Sequence, residues 1–334
     1  MLAAVFHGQG DARVAPRPVP EPAEGEITVD VDACGVCGSD LHVMGGSVVV
    51  PTPLVLGHEL SGRVRESRVD GLVPGTPVTV LPLLPCGTCA ACRDGRTNHC
   101  VDRIDLGLTV DGGFAEVIRV PRARVGETVF VLPAAVSAVA AAVVEPLAVG
   151  LRAASLAGAE RGDRALVLGC GMIGQAVIAF LRQSGVGTVV AVDVSPERRA
   201  QALARGADDA CGPDELRELL GGEPVAAAID CAGHPDTVAA AVRHTGHGGT
   251  VVLAGVYGRR VPVTLDAVVG RELRVQGSFA YASEFGHVIE MLARGDIDGE
   301  AFVSRHVSLT EAPSILDRSG SSLDDVKVLV RPAR

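Results

Sequence analysis

The glycine pattern Gly169-x-Gly171-x-x-Gly174 constrains the fold of this chain more than any other feature, because it joins a predicted strand to the helix predicted at Met172–Ser184. In that position the first glycine allows a tight turn, and the second lets a pyrophosphate approach the backbone. The third permits close packing of helix on strand, and the free N–H groups of the first helical turn can bind phosphate. The pattern therefore predicts a dinucleotide site rather than glycines that serve only as turns.

An acidic residue lies where such a site needs one. Asp193 ends the second predicted strand, about 20 residues beyond the glycines, where a carboxylate binds the adenosine ribose hydroxyls. Its charge repels a 2′-phosphate, which favours NAD over NADP, although Arg198 and Arg199 on the next helix could admit NADP. The predicted cofactor-binding residues are Gly169, Gly171, Met172, Ile173, Gly174, Asp193 and Arg198.

Strands and helices alternate through residues 150–274, which predicts an α/β domain with a doubly wound parallel sheet. Its strands are predicted at Arg164–Gly169, Thr188–Asp193, Val225–Cys231, Thr250–Gly255 and Leu273–Gly277, and its helices at Met172–Ser184, Pro196–Arg205 and Pro235–His244. Short Val-containing runs separated by Pro and Gly in residues 1–149 predict an irregular β-barrel. Residues 275–334 add a helix at Glu284–Arg294 and a strand at Val326–Val330, which we expect to rejoin the first domain.

Four of the nine cysteines form the cluster Cys-x2-Cys-x2-Cys-x7-Cys. Four thiolates can enclose a tetrahedral zinc and leave no position open to substrate, so the predicted site is structural. A reducing cytosol makes metal binding a better explanation than disulfides. The predicted ligands are Cys86, Cys89, Cys92 and Cys100.

A second set of metal-binding residue types is dispersed over the first 150 residues. Cys37, the pair His58-Glu59 and Glu145 could together hold a catalytic zinc, which needs few protein ligands and one open position. Taken singly, each has an ordinary explanation: a core cysteine, a hydrogen-bonded histidine and a surface glutamate. Their spacing does not establish that they meet in space.

The motifs resemble, in order, those of the zinc-containing medium-chain alcohol/polyol dehydrogenase family. They are Gly-x-Cys-Gly-x-Asp-x-His, Gly-His-Glu, the four-cysteine cluster, Asp111-Gly-Gly-Phe-Ala-Glu116, Glu145-Pro-Leu and the glycine pattern. The resemblance implies a GroES-like catalytic domain split around a Rossmann domain, with the active site in the cleft, two zinc ions per chain and NAD. It also implies a homodimer or homotetramer.

By this resemblance Cys37 and His58 bind the catalytic zinc, and carboxylates complete the site. Zinc with one thiolate, one carboxylate and a neutral histidine is neutral, whereas binding both Glu59 and Glu145 leaves a net negative site. One carboxylate is thus expected to bind directly while the other holds the water ligand, and the sequence leaves open which does which. The resemblance also implies that Ser39 takes the alcohol proton and His42 passes it on.

The expected reaction is hydride transfer between a secondary alcohol and NAD. Sorbitol-type relatives carry a Tyr and an Arg-Tyr pair where this chain has Val43 and Ala280-Tyr281. Missing hydroxyl and guanidinium partners disfavour a long polyol, so a vicinal diol, a hydroxyketone or a cyclic alcohol is expected. A zinc-free enone or quinone reductase, or a non-enzymatic binding protein on this fold, is the alternative.

Composition restricts partners and location. A net charge of -10 and 3% aromatic residues disfavour nucleic acid. Lys327 is the only lysine, so Arg carries nearly all the positive charge, which we interpret first as coding bias and second as a functional signal. The N-terminus lacks a signal-peptide pattern, and the prolines and the charge in Val131–Val149 disfavour a membrane helix. That segment is predicted to join domains, and the protein is expected in the cytoplasm.

Overall fold

The computed structural model of the protein describes residues 1–320, 322 and 324–332 and divides the chain into two units. One unit combines Met1–Glu145 with Tyr281–Arg334, and the other is Pro146–Ala280. The sequence prediction placed the borders at 149/150 and 274/275, four and six residues from these.

The strands and helices take the following bounds. The strands are β1 (Leu2–Gly8), β2 (Asp11–Pro16), β3 (Ile27–Gly35), β4 (Leu54–Val55), β5 (Glu59–Ser67), β6 (Pro77–Val80), β7 (Leu83–Leu84), β8 (Ile104–Asp105), β9 (Val117–Val120), β10 (Val129–Val131), β11 (Arg164–Leu168), β12 (Thr188–Val192), β13 (Asp209–Cys211), β14 (Val225–Asp230), β15 (Thr245–Leu253), β16 (Arg274–Gly277), β17 (Arg305–Ser308) and β18 (Val328–Arg331). The helices are α1 (Gly38–Met44), α2 (Ala90–Arg93), α3 (Ala138–Ala142), α4 (Val144–Ala157), α5 (Met172–Gln183), α6 (Pro196–Ala204), α7 (Leu216–Leu219), α8 (Pro235–His244), α9 (Leu265–Gly270), α10 (Glu284–Arg294) and α11 (Ala312–Leu316). Three short 3₁₀ helices lie at Thr97–His99, Glu300–Phe302 and Leu309–Glu311.

The first unit is built around strand β3. This strand pairs antiparallel with β5 along its length, with β9 near its start and with β18 at its end, inside a seven-stranded sheet. Its side chains Ile27, Val29 and Val31 are buried in the apolar core. The closing strand β18, which the sequence had placed at Val326–Val330, thus lies in the first unit.

The second unit contains a six-stranded sheet in the order β13-β12-β11-β14-β15-β16, and all its pairings are parallel. Helices α5, α6 and α8 supply crossover connections, as in a doubly wound fold. The strand order reverses between β11 and β14, so ligand-binding loops converge at the carboxyl ends of these strands. The five predicted strands are present, and β13 is an additional short one.

The segment Val131–Val149 is largely helical, because α3 and the first turns of α4 lie within it. Ser137 caps α3 by accepting a hydrogen bond from the N–H of Ala140. Among the described residues, no helix has both the length and the apolar character that a bilayer span requires.

Candidate active site

Antiparallel pairing of β3 with β5 brings the dispersed residues together. Gly35 at the end of β3 pairs with Glu59 at the start of β5, so Cys37, two residues on, lies beside His58. One donor atom from each of Cys37, His58 and Glu59 lies within 4.8 Å of the other two. A thiolate, an imidazole and a carboxylate form a donor set suited to zinc, with room for a further ligand.

Asp40 holds in place the backbone that carries this group, and it also lies close to His58. Its carboxylate is fully buried and accepts hydrogen bonds from the N–H groups of Cys37 (2.9 Å) and Gly57 (3.3 Å). Its Oδ1 lies 3.7 Å from His58 Nδ1, while Ser39 Oγ lies 3.3 Å from His58 Nε2. Burial by itself would lower the pKa of His58, but the facing Asp40 carboxylate and Cys37 outweigh it and raise that pKa. The sequence analysis had not singled out Asp40, although it lies inside the first motif.

Glu59 is held by the only lysine of the chain. Lys327 Nζ lies 2.6 Å from Glu59 Oε1 and donates to the carbonyl oxygen of Val36 at 2.9 Å, and the Lys327 side chain is 3% exposed. Glu59 Oε2 has no hydrogen-bond partner among the described residues, and a Cβ placed on Gly35 would lie 2.0 Å from it. Glycine at position 35 thus leaves the space that this carboxylate oxygen occupies.

This ion pair adds to the sequence interpretation in two ways. Lys327, the only lysine, has a definite structural place, because it is buried against Glu59. The charge argument had also omitted this cation, which offsets the Glu59 carboxylate. A second carboxylate therefore need not make the site negative.

Glu145 lies near the same centre but outside the three-residue donor group. Burial, and then the neighbouring Glu59 carboxylate, raise the pKa of Glu145 to about 7 against the opposing effects of His58 and Lys327. Tyr281 is 1% exposed and packs on Phe285 with ring centroids 5.5 Å apart. Burial and the Glu145 carboxylate raise the pKa of Tyr281, yet its Oη has no hydrogen bond of standard geometry among the described residues.

The two predicted relay residues, Ser39 and His42, lie on α1, three positions apart and thus on one helical face. Ser39 contacts His58, as described above, whereas His42 Nδ1 lies 3.0 Å from Ser47 Oγ. Each has a hydrogen-bond partner of its own, and the partner of Ser39, His58, belongs to the metal-binding group.

The four-cysteine cluster is compact. One sulfur from each residue lies within 4.8 Å of the others, with Sγ–Sγ distances of 3.5 Å for Cys89–Cys92 and 4.0 Å for Cys86–Cys92. A tetrahedral zinc with Zn–S bonds of about 2.3 Å needs sulfur separations of about 3.8 Å. Hydrogen bonds from the backbone and side chain of Thr88 lower the pKa of Cys86 to about 6, which favours its thiolate. The cluster suits a closed structural zinc site.

The glycine-rich turn of the second unit opens α5, whose first residues are Met172 and Ile173. A Cβ on Gly174 would lie 1.8 Å from the carbonyl oxygen of Gly169, so the third glycine permits this close packing. Within the described part of the chain, a Cβ on Gly171 would meet only the Arg198 guanidinium, 3.9 Å away, which leaves space for a ligand at this backbone.

Asp193 is fixed at the end of β12. Its carboxylate accepts hydrogen bonds from the N–H groups of Cys170 (2.7 Å) and Ser195 (2.9 Å). Ionised carboxylate oxygens have several acceptor positions, so ribose hydroxyls can still bind. Arg199 donates to the carbonyl oxygen of Asp193 at 2.9 Å, so it is engaged with the backbone here.

Two protein-family models match the chain. One, described as "Alcohol dehydrogenase GroES-like domain", matches residues 23–131, and the other, "Zinc-binding dehydrogenase", matches residues 173–294.

Similar proteins span nearly the whole chain, and three of them serve as examples. Sorbitol dehydrogenase of Bacillus subtilis (strain 168) is 31% identical over 351 residues, covering 100% of this chain and 98% of the relative. A structure described as a zinc-binding dehydrogenase of Sinorhizobium meliloti 1021, bound to NADP, superposes with a TM-score of 0.92 at 33% identity over 99% of each chain. The 2R,3R-butanediol dehydrogenase of Bacillus subtilis gives a TM-score of 0.89 at 30% identity, again over 99% of each chain.

Proposed function

The chain belongs to the zinc-containing medium-chain alcohol/polyol dehydrogenase family, and on that premise we propose that it oxidises a secondary alcohol to a ketone by hydride transfer to NAD. The observation that carries the proposal is the convergence of Cys37, His58 and Glu59 in one unit of a chain whose other unit has the dinucleotide glycine pattern. A zinc-free reductase on this fold would have no use for such a donor set.

Three residues would hold the catalytic zinc: Cys37 through Sγ, His58 through Nε2 and Glu59 through its unpartnered oxygen. Asp40 faces His58 Nδ1 and would fix the ring orientation, as carboxylates commonly do for metal-binding histidines. Glu59 belongs to the three-residue donor group and Glu145 does not, which favours Glu59 as the direct ligand, and Lys327 would offset its charge. Bound zinc supplies Lewis acidity, which eases deprotonation of an alcohol.

The chain's own residues handle the proton. Ser39 Oγ, already beside His58 Nε2, would accept the alcohol proton, and His42 on the same face of α1 would pass it toward solvent. Glu145 and Tyr281 are both buried polar groups near this centre and would orient a hydroxyl of the substrate.

The structural zinc would be held by Cys86, Cys89, Cys92 and Cys100, giving two zinc ions per chain. Metal analysis of the purified protein tests this count. One zinc or none per chain would contradict it.

NAD would bind along the glycine-rich turn, with its pyrophosphate at the start of α5 and its adenosine ribose on Asp193. The Asp193 carboxylate disfavours a 2′-phosphate, although the Sinorhizobium relative binds NADP. Arg198, whose guanidinium approaches Gly171, is positioned to attract either cofactor's phosphates. Comparing kcat/KM for NAD and NADP at one alcohol concentration decides between them.

The substrate is proposed to be a small vicinal diol or a cyclic alcohol rather than a long polyol. Val43 is fully buried and apolar, and Ala280 offers no hydrogen bond to a distant hydroxyl. The relatives act on both kinds of substrate by name, namely sorbitol and butanediol.

We also propose a homodimer or homotetramer in the cytoplasm. Apolar side chains stand exposed around edge strand β16, and an exposed apolar edge favours pairing with another copy. The thiols of both zinc sites need a reducing compartment. The exposed residues concerned, called here the β16 edge surface, are Leu265, Val269, Val275 and Phe279.

A nicotinamide absorbance assay over a panel of alcohols tests the reaction. We expect turnover with 2,3-butanediol or cyclohexanol above that with sorbitol, and loss of turnover after zinc is removed by a chelator. Activity that survives complete zinc removal, or reduction of enones without alcohol oxidation, would support the zinc-free alternative instead.

A further inference from the structure

A buried carboxylate of the second unit has no part in the zinc, proton or ribose roles described above. Asp230, the last residue of β14, is fully buried. It pairs in register with Leu168, the last residue of β11, and with Leu253 of β15. It therefore lies at the carboxyl edge of the sheet, beside the point between β11 and β14 where the strand order reverses and ligands bind.

The Asp230 carboxylate joins two loops. Oδ1 accepts hydrogen bonds from the N–H groups of Ala232 (3.1 Å) and Gly233 (3.4 Å), in the loop after β14. Oδ2 accepts a hydrogen bond from Tyr257 Oη at 2.6 Å, in the loop after β15. A buried carboxylate is costly unless it is hydrogen-bonded, and a hydroxyl bound to an ionised oxygen makes a short, strong bond. Burial and this carboxylate raise the pKa of Tyr257, so its hydroxyl stays a donor at neutral pH.

Close backbone packing connects these loops to each other and to the glycine-rich turn. A Cβ on Gly233 would lie 2.5 Å from the carbonyl oxygen of Val256, and one on Gly255 would lie 2.4 Å from the nitrogen of Gly233. A Cβ on Gly169 would lie 2.8 Å from Ala232 Cβ. With no space between the three segments, a shift of the loop after β15 must move its neighbours.

A bound nicotinamide dinucleotide would extend along the carboxyl edge of this sheet. The glycine-rich turn after β11 and Asp193 after β12 would take the pyrophosphate and the adenosine half. The nicotinamide half then falls on the far side of the strand-order reversal, against the loops after β14 and β15. Val256, which precedes Tyr257, is 53% exposed and available for contact.

We propose that the Tyr257–Asp230 hydrogen bond positions the loop wall that receives the nicotinamide half of the cofactor, which makes Tyr257 a positioning residue. The inference rests on the proposed function, because it presupposes a nicotinamide dinucleotide. The Tyr257 hydroxyl acts through Asp230 and the loop backbone rather than by touching the cofactor.

The test compares the whole cofactor with its adenosine half. In Tyr257→Phe we expect the Kd for NADH to rise about 10-fold, because the cofactor must then order a loop wall that has lost one hydrogen bond to a charged group, while the Kd for 5′-AMP stays within about 2-fold of the parent. Thr237→Val is the matched control, because it removes a hydroxyl that bonds to His234 in the same region but not to Asp230; it should leave both affinities unchanged.

Asp230→Asn gives a second measurement. It should weaken NADH binding in the parent and add little in the Tyr257→Phe background, because both changes break one interaction. Additive losses, equal losses for NADH and 5′-AMP, or a parental NADH affinity in Tyr257→Phe would each overturn the positioning role. If the parent protein itself bound no NADH, the proposed function would fail; if the parent bound NADH and oxidised alcohols while Tyr257→Phe matched it, only the positioning role would fail.

Discussion

Glu59 and Lys327 form an ion pair with almost no exposed surface, next to the cysteine and histidine of the candidate zinc site. Removing two charges from water is costly, and their attraction offsets that cost only when both partners are present. Two observations distinguish this pair from a purely structural one. The second oxygen of Glu59 has no hydrogen-bond partner among the described residues, and a Glu59 carboxylate oxygen lies within 4.8 Å of donor atoms of Cys37 and His58.

Lys327→Met should therefore destabilise the protein by about 3–5 kcal/mol, since it leaves the Glu59 carboxylate buried and uncompensated. Lys327→Arg, which keeps the charge, should cost less. Urea unfolding monitored by circular dichroism measures both. Because bound zinc would itself neutralise Glu59, the loss should be larger after chelation than in the zinc-loaded protein; equal losses would argue that Glu59 does not bind the metal.

Ser39→Ala separates proton handling from metal binding. Its zinc content should stay parental, because Ser39 is not a proposed ligand, while turnover should fall about 10²–10⁴-fold through loss of the first proton acceptor. His42→Ala should cost less, since water can replace a distal group. Ser155→Ala is the control, because among the described residues its hydroxyl donates to the helix carbonyl of Leu151 alone. Full turnover in Ser39→Ala with zinc intact would remove both residues from the proton route.

At the scale of elements, the four-cysteine cluster lies between β7 and β8, on a segment whose regular structure is limited to α2 and a 3₁₀ helix. So little secondary structure leaves the loop dependent on cross-links. Two arginine side chains also stabilise this segment through its backbone. Arg122 donates a hydrogen bond to the carbonyl oxygen of Asp102 at 2.5 Å, and Arg124 donates one to the carbonyl oxygen of Pro85 at 3.3 Å.

Cys89→Ser should halve the zinc content, from two ions per chain to one, and lower the thermal unfolding temperature, because a three-thiolate site holds zinc less well. Cys231→Ser, which changes a cysteine outside the cluster, should keep both metal ions. Elemental analysis together with a thermal melt gives the answer. A Cys89→Ser protein with parental zinc content and stability would refute the structural site.

At the scale of the whole molecule, the β16 edge surface is the exposed apolar feature that assembly would explain. Leu265 is 69% exposed and Val269 is 76% exposed, and both precede an edge strand with unpaired backbone groups on one side. Isologous pairing of such an edge with its copy is the common route to a symmetric dimer.

Val269→Glu with Val275→Glu should reduce the molecular mass measured by light scattering, because like charges would face each other across the pairing edge. Val73→Glu, at a 64% exposed position of the first unit, is the matched control and should keep the parental mass. A monomeric parent, or a doubly substituted protein with parental mass, would contradict the proposed interface.

Local pattern was enough to predict much of this protein. The parallel sheet followed from alternating apolar strands and amphipathic helices, and α10 occupies Glu284–Arg294 as predicted, because both are set by side-chain periodicity within a short segment. The four cysteines were likewise predictable as one site, since only thirteen residues separate the first from the last in Cys86–Cys100. The family and its dehydrogenase chemistry followed from the order of the motifs.

Contacts between residues far apart in sequence could not be predicted from local patterns. Lys327 is 268 positions from Glu59, and only the return of the chain through β18 to the barrel brings their charges to 2.6 Å. The Asp230–Tyr257 bond likewise depends on the lateral order of β14 and β15, which no local pattern reveals. The sequence by itself determined which strands and helices form and which chemistry their residues can carry, because secondary-structure propensity and sequence motifs are local properties. Only the tertiary structure decided which buried charges face one another, because that depends on how separate strands pair.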